Sequence, residues 1–203
     1  MKQLQNLCNQ QQWQLIIQYA KLLREINQQV NLISRKDINN LFENHIAPSF
    51  AYKILDRIHT NEYILDIGSG GGLPGIVNAI LFPESDFLLV DSTKKKVTAL
   101  DKIISELHLT NISALWSRVE EMNIPEYQNK FDRTTSRAVA PMQKIIEWSK
   151  PLLKDGGTIE ALKGGDIEKE ISESKQVITK YKLPSEYHYT ERMKNLVLLS
   201  TTK

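Results

Sequence analysis

Cysteine is nearly absent from this chain. The one thiol, Cys8, cannot close an internal disulfide, and no Cys/His grouping has zinc spacing. A disulfide framework and a structural zinc are therefore excluded, no metal is expected, and a reducing, cytoplasmic setting is. Long apolar runs are missing too. Gln, Asn, Lys and Arg interrupt every one, so nothing approaches the roughly 20 apolar residues of a membrane span, and the first residues lack the apolar heart of a secretory leader. Charge of one sign is also missing: 26 Lys and Arg stand against 24 Asp and Glu, a net +2, which excludes a polybasic arm or an acidic tail. Aromatics make up only 7%, and Trp13, Trp116 and Trp148 sit within apolar patterns that read as core. With no repeats and no long linker, 203 residues fit one domain with a small appendage.

The appendage lies at the front. Residues 1–60 carry seven basic side chains against four acidic ones, a local +3, and hold nine glutamines in the first thirty positions. Leu15, Tyr19, Leu22, Leu23, Ile26 and Val30 recur at helical spacing over 11–30, the mark of an amphipathic helix. A second helix is expected over about 38–58, so that 1–60 forms a helical extension and 61–203 the main domain. From Glu62 the texture changes to strands alternating with helices. "YILDIG", "FLLVD", "NISALWS", "KFDRTTSRA" and "GTIEALKG" read as strands, with helices from Pro74 to about Phe82, over "KKKVTALDKIISELHL", from Met142 to Leu153 and near 166–181. "EYHYT" and "NLVLLSTT" close the chain as a strand pair. This alternation predicts a doubly wound, Rossmann-like α/β fold, a mostly parallel sheet of seven strands with an antiparallel strand contributed by the last pair.

The chemistry concentrates in "ILDIGSGGGLPGI", Ile64 to Ile76, a strand running into a glycine-rich turn with Pro74 at the start of the next helix. Two readings overlay it. Gly70, Gly72 and Gly75 fit the dinucleotide pattern G-x-G-x-x-G, with Asp91 about 20 residues on; Gly68 and Gly70 with Asp66 fit the D-x-G-x-G turn that binds S-adenosyl-L-methionine (AdoMet). Charge separates them. A pyrophosphate is anionic, and a carboxylate at Asp66 would repel it, whereas the ammonium of AdoMet would be held by that carboxylate directly or through water. No Tyr-x-x-x-Lys pair is present to serve a dehydrogenase. Asp91, ending the second strand, suits a pair of ribose hydroxyls. Arg137, ending the fourth, is placed to open onto the crevice at the switch point of the sheet.

The ordered segments "NLIS", "DIGSGGGLPGI", "LVDSTKKK", "SRVEE", "SRA" and "ALKG" resemble the GidB (RsmG) family of bacterial methyltransferases, which act on guanine N7 in small-subunit rRNA. The resemblance implies AdoMet as cofactor, contacts at Gly68, Leu73, Val119, Glu120 and Arg137, with Asp66, Gly70 and Asp91 in the general roles above, and 16S rRNA of the small ribosomal subunit as partner, with the target in its 530 loop. It implies no protein partner, and a monomer is expected. A cationic or aromatic RNA surface would draw on Arg35, Lys36, His45, Lys94, Lys95, Lys96, Lys163 and Arg192. Two positions depart from the family pattern: Ala47 stands where an Asp is usual, and Met193 where a His follows Arg192. Guanine N7 offers a free lone pair, so direct transfer needs no general base and no catalytic residue is nominated. A methyltransferase of the same fold for another RNA or a small molecule, and a non-enzymatic assembly factor, are the alternatives.

Overall fold

A computed structural model of the chain describes residues 2–164, 168–169, 172–173, 185–189 and 197–203. The expected helix near 166–181 and Arg192 lie wholly or mostly outside them. A short helix α1 (Lys2–Gln5) precedes α2 (Gln10–Asn27), which begins at a reciprocal capping box: the Asn9 side chain accepts from the Gln12 N–H, and the Gln12 side chain accepts from the Asn9 N–H. Its apolar stripe, Ile16, Tyr19, Ala20, Leu23 and Ile26, is buried.

The single helix expected over 38–58 is broken. A 3₁₀ turn (Ile38–Asn40), a π turn (Phe42–Ile46) and the short helices α3 (Ala47–Ser49) and α4 (Ala51–Ile54) take its place. Pro48 is the cause. It has no N–H to offer the Asn44 carbonyl four residues earlier, and its ring crowds that carbonyl, so the chain widens into a π turn ahead of it.

The main domain alternates β1 (Tyr63–Ile67), α5 (Gly75–Leu81), β2 (Asp86–Asp91), α6 (Lys94–Glu106), β3 (Ile112–Trp116), a 3₁₀ turn (Val119–Met122), β4 (Phe131–Arg137), α7 (Met142–Ser149) and β5 (Leu153–Lys163). Strands β6 (Ser185–Tyr189) and β7 (Val197–Thr202) follow, and the sheet order is β3-β2-β1-β4-β5-β7-β6. The first five strands pair in parallel, and β7 runs antiparallel between β5 and β6. Strand order reverses between β1 and β4, the neighbours whose following loops open the crevice of such sheets.

Two apolar cores flank the sheet. One gathers Leu65, Ile67, Val90, Phe131 and Ile159 with Met142, Ile145 and Ile146 of α7. The other joins Ile64, Ile76, Ile80, Leu89 and Leu100 to Ile16, Leu23, Leu41, Ile46 and Phe50 of the extension, which thus shares a continuous core with the sheet.

The polarity of β4 has its explanation here. Side chains alternate across a strand, and on the face toward the extension Arg133, Thr135 and Arg137 each meet a partner. Arg133 forks onto Glu62 at 2.8 and 2.9 Å and reaches Glu160 of β5, which also accepts from Arg57 of the extension at 2.8 Å. Glu160 is fully buried. Burial pushes its carboxyl up, and the guanidinium groups of Arg133 and Arg57 pull it back. On the opposite face, the Thr134 hydroxyl donates to Ser149 of α7 at 2.9 Å.

Candidate active site

The glycine turn after β1 is held from two sides, by Asp91 and by Tyr19. Gly68 and Gly70 adopt φ of 65° and 55°, the left-handed region that glycine enters without penalty. The Gly70 N–H donates to the Asp91 carboxylate at 3.0 Å, and the Thr93 N–H to its other oxygen at 2.9 Å, so Asp91 is 6% exposed and fixed at the end of β2 with lone pairs left to accept. From the extension, the buried Tyr19 hydroxyl donates to the Gly71 carbonyl at 2.8 Å.

Asp66 lies beneath this turn at 0% exposure. One oxygen accepts from the Thr135 hydroxyl at 2.8 Å; the other is buried without a well-aligned donor, facing the backbone of Gly75, where an added Cβ would stand 2.8 Å from it. Burial pushes its carboxyl up to about 6, against hydrogen bonding from Thr135, Ser69 and Gly75, while the Asp91 charge adds to the rise. So complete a burial leaves Asp66 to act through its field under the loop, in place of the direct or water-bridged hold expected from its position. Negative charge beneath the turn favours a cationic ligand over a pyrophosphate.

Beside the turn runs a crevice of about 130 Å³ lined by Gly68, Asp91, Ser92, Val119, Glu120 and Trp148, among others. Ligand pockets measure about 300 Å³ or more, and Val139 is what narrows this one: a Cβ on Gly68 would meet its methyl groups at 2.7 and 2.8 Å. Val139 also lines a larger cavity of about 640 Å³, bounded by the Arg137–Pro141 segment, by Leu162, Lys163 and Gly164, and by Lys169 and Glu173. One valine thus stands between two chambers.

The structure places the sequence candidates unevenly. Gly68, Gly70, Asp91, Val119 and Glu120 gather at or beside the crevice, whereas Leu73 packs into the core below the turn. Arg137 borders the larger cavity, and its guanidinium turns toward the extension, donating to the carbonyls of Asn44 at 2.7 Å and His45 at 3.0 Å. The Asn44 carbonyl is the one Pro48 leaves without a helical partner. Arg137 also lies 2.8 Å from His45 Nδ1; a guanidinium only donates, so Nδ1 accepts and the ring proton sits on Nε2. Burial and the Arg137 charge push His45 down, against the pull of Asp37, and burial pushes Arg137 down as well. His45 is therefore an internal acceptor and not an RNA-facing cation.

Arg35, Lys36, Lys94 and Lys95 are exposed, Lys96 reaches to 3.9 Å from Asp91, and Lys163 is buried with its ammonium donating to the Ala140 carbonyl. Trp13 and Trp148 are half-buried, but Trp116 is 55% exposed, against the core position expected for it. Val139 and the Asn44 carbonyl were missed by sequence reasoning. A backbone acceptor carries no side-chain signature, although Pro48 four residues on marks which carbonyl is freed.

A doubly wound sheet, a glycine turn over a buried carboxylate and an acidic residue ending the second strand define a Rossmann-like AdoMet-dependent methyltransferase. Solved structures agree on the fold. A SAM-dependent methyltransferase from Aquifex aeolicus superposes with a TM-score of 0.60 at 18% identity, covering 83% of this chain and 95% of that one. A precorrin-6y C5,15-methyltransferase from Geobacter metallireducens gives 0.56 at 14% identity, covering 86% and 91%. Residues 12–197 match the family model of rRNA small subunit methyltransferase G, GidB. The chain belongs to that family. Ribosomal RNA small subunit methyltransferase G of Chlorobium luteolum is 45% identical over 78% of this chain and 65% of its own length, and that of Chlorobaculum tepidum 45% identical over 79% and 72%. The chain thus aligns with about two thirds to three quarters of the length of these relatives.

Proposed function

We propose that the chain transfers the methyl group of AdoMet to N7 of a guanine in small-subunit rRNA. The observation that carries this is Asp91, fixed by two backbone N–H groups and lining a crevice that Gly68 of the glycine turn also lines. Asp91 would accept from the ribose hydroxyls, the backbone at Gly68 and Gly70 would let the cofactor approach closely, and Val119 and Glu120 would flank the adenine. Asp66 would act on the cationic end through its field. Bound AdoMet supplies a methyl group already activated by a sulfonium.

The chain's own contribution is placement. The larger cavity borders the crevice at Val139 and is wide enough for a purine base. With N7 carrying a lone pair, the enzyme needs to hold the base in line and exclude water, a proximity effect, without removing a proton. No carboxylate or imidazole is therefore assigned as a base.

Methyl transfer from labelled AdoMet to isolated small subunits and to free rRNA, followed by mapping of the modified base, tests the reading. Label on a guanine N7 is expected. Label on another RNA or on a small molecule would redirect it. Asp91→Ala should weaken AdoMet binding by tenfold or more, roughly the loss of a pair of charge-assisted hydrogen bonds; unaltered affinity in calorimetry would remove Asp91 from the site.

A further inference from the structure

Trp116 is the most exposed large apolar side chain among the described residues, at 55%. It ends β3, the outer strand of the parallel part of the sheet, next to the cofactor crevice but not among its lining residues. The ring is anchored, because its indole N–H donates to the Ser92 carbonyl at 3.0 Å. Lys94 Nζ sits over the ring, 5.1 Å from its centroid; Lys95 beside it in sequence is exposed, as is Arg118, two residues after the tryptophan and at the lip of the crevice. The one charged group shown against the ring is thus a cation, and the acids Glu120 and Glu121 follow on the next turn.

An exposed indole tied by its N–H, with one lysine over the ring and further cations close by in sequence, matches a ligand that carries both flat aromatic faces and negative charge. Single-stranded nucleic acid has that combination: bases stack on aromatic rings, and phosphates pair with Lys and Arg. An apolar protein partner would instead meet the Lys94 charge, which it cannot neutralise.

We propose that Trp116 is a stacking platform for an unpaired base of the substrate RNA, with Lys94, Lys95 and Arg118 taking the neighbouring phosphates. The proposal rests on the reading of this chain as an rRNA methyltransferase. Three strand spacings separate β3 from β4, roughly 14 Å. The base on Trp116 is therefore not the guanine to be methylated but one a few nucleotides away, and the contact fixes how the strand crosses the site.

The test compares wild type with Trp116→Phe, which keeps a stacking face, and Trp116→Leu, which keeps apolar bulk without one. Circular dichroism melts confirm that each folds. Trp116→Leu should raise KM for small-subunit RNA about tenfold, and Trp116→Phe about threefold or less, with AdoMet affinity unmoved in both. RNA should quench the tryptophan fluorescence of wild type more than that of Trp116→Phe. Unchanged KM with equal quenching in the two proteins overturns the proposal and leaves this face to a protein partner. A loss of AdoMet affinity with KM for RNA unaltered overturns it as well, and assigns the indole to the cofactor. Absence of any methyl transfer by wild type would fail the rRNA reading itself, while the quenching comparison still decides for or against Trp116.

Discussion

Asp66 is the residue at which folding and function pull in opposite directions. Its carboxyl rises from 3.8 to about 6 in the folded protein, so the fold holds its proton more tightly than the unfolded chain does. Stability from this group is then fully present below about pH 4 and is lost as pH rises through about 6. A rise of roughly two pH units corresponds to about 3 kcal/mol at neutral pH. Asp66→Asn removes the titration. The melting temperature of the variant relative to wild type should climb as pH goes from 4 to 7, even if the amide adds a constant offset; a flat difference would show that Asp66 ionises normally. His45, pushed down by burial, acts on the other side: the unfolded chain takes up its proton first, so its contribution fades as pH falls below about 6.5. Asp66 could be picked out of the sequence because a carboxylate beside a glycine turn is conspicuous, but its complete burial was not legible. Burial depends on Thr135, a residue 69 positions away that only strand pairing brings alongside.

At the scale of elements, β4 is the instructive case. Its apolar content is low for a central strand, and the sequence alone shows no reason for that. The reason is tertiary: Arg133 and Arg137 face an extension contributed by the first sixty residues, with Glu160 arriving from β5. Removing one partner from such a buried set costs more than the set itself contributes, because the remaining charges stay desolvated. Arg133→Met should accordingly destabilise the protein by about 3–5 kcal/mol in urea unfolding, by stranding Glu62 and leaving Glu160 to Arg57 alone. A loss below about 1 kcal/mol would mean that water already reaches these carboxylates. The alternation of strands and helices was legible throughout the parallel part of the sheet, since period and punctuation are local. The break in the 38–58 helix was readable in principle from Pro48, yet the apolar spacing on either side of it suggested a continuous helix.

For the whole molecule, the question is whether residues 1–60 are an attachment or part of the fold. Composition and pattern divide the chain near residue 60, and local signals support nothing finer. The packing runs across that division, with Leu23, Leu41, Ile46 and Phe50 in the same apolar cluster as Ile76, Leu89 and Leu100, and with Tyr19 bound to the cofactor turn. A chain beginning at residue 61 should therefore lack cooperative unfolding and AdoMet binding alike, as measured by calorimetry, because it exposes one face of the sheet and leaves Glu160 without Arg57. A soluble, cooperatively melting fragment would show that the extension only decorates a self-sufficient domain.

The ionic seam along β4 also bears on how the chain avoids the wrong structure. Strand faces alternate residue by residue, so sliding β4 by one position against β1 would exchange them. Arg133 and Arg137 would then point into the apolar cluster of Met142, Ile145 and Ile146, away from Glu62 and Glu160. Thr134 and Ser136, in turn, would bring only neutral hydroxyls to the face where Glu62 and the buried Glu160 need a guanidinium. An all-apolar β4 would tolerate either setting about equally. Two arginines placed two turns of the pleat apart make the misaligned pairing expensive, and so give the central strand a single address in the sheet.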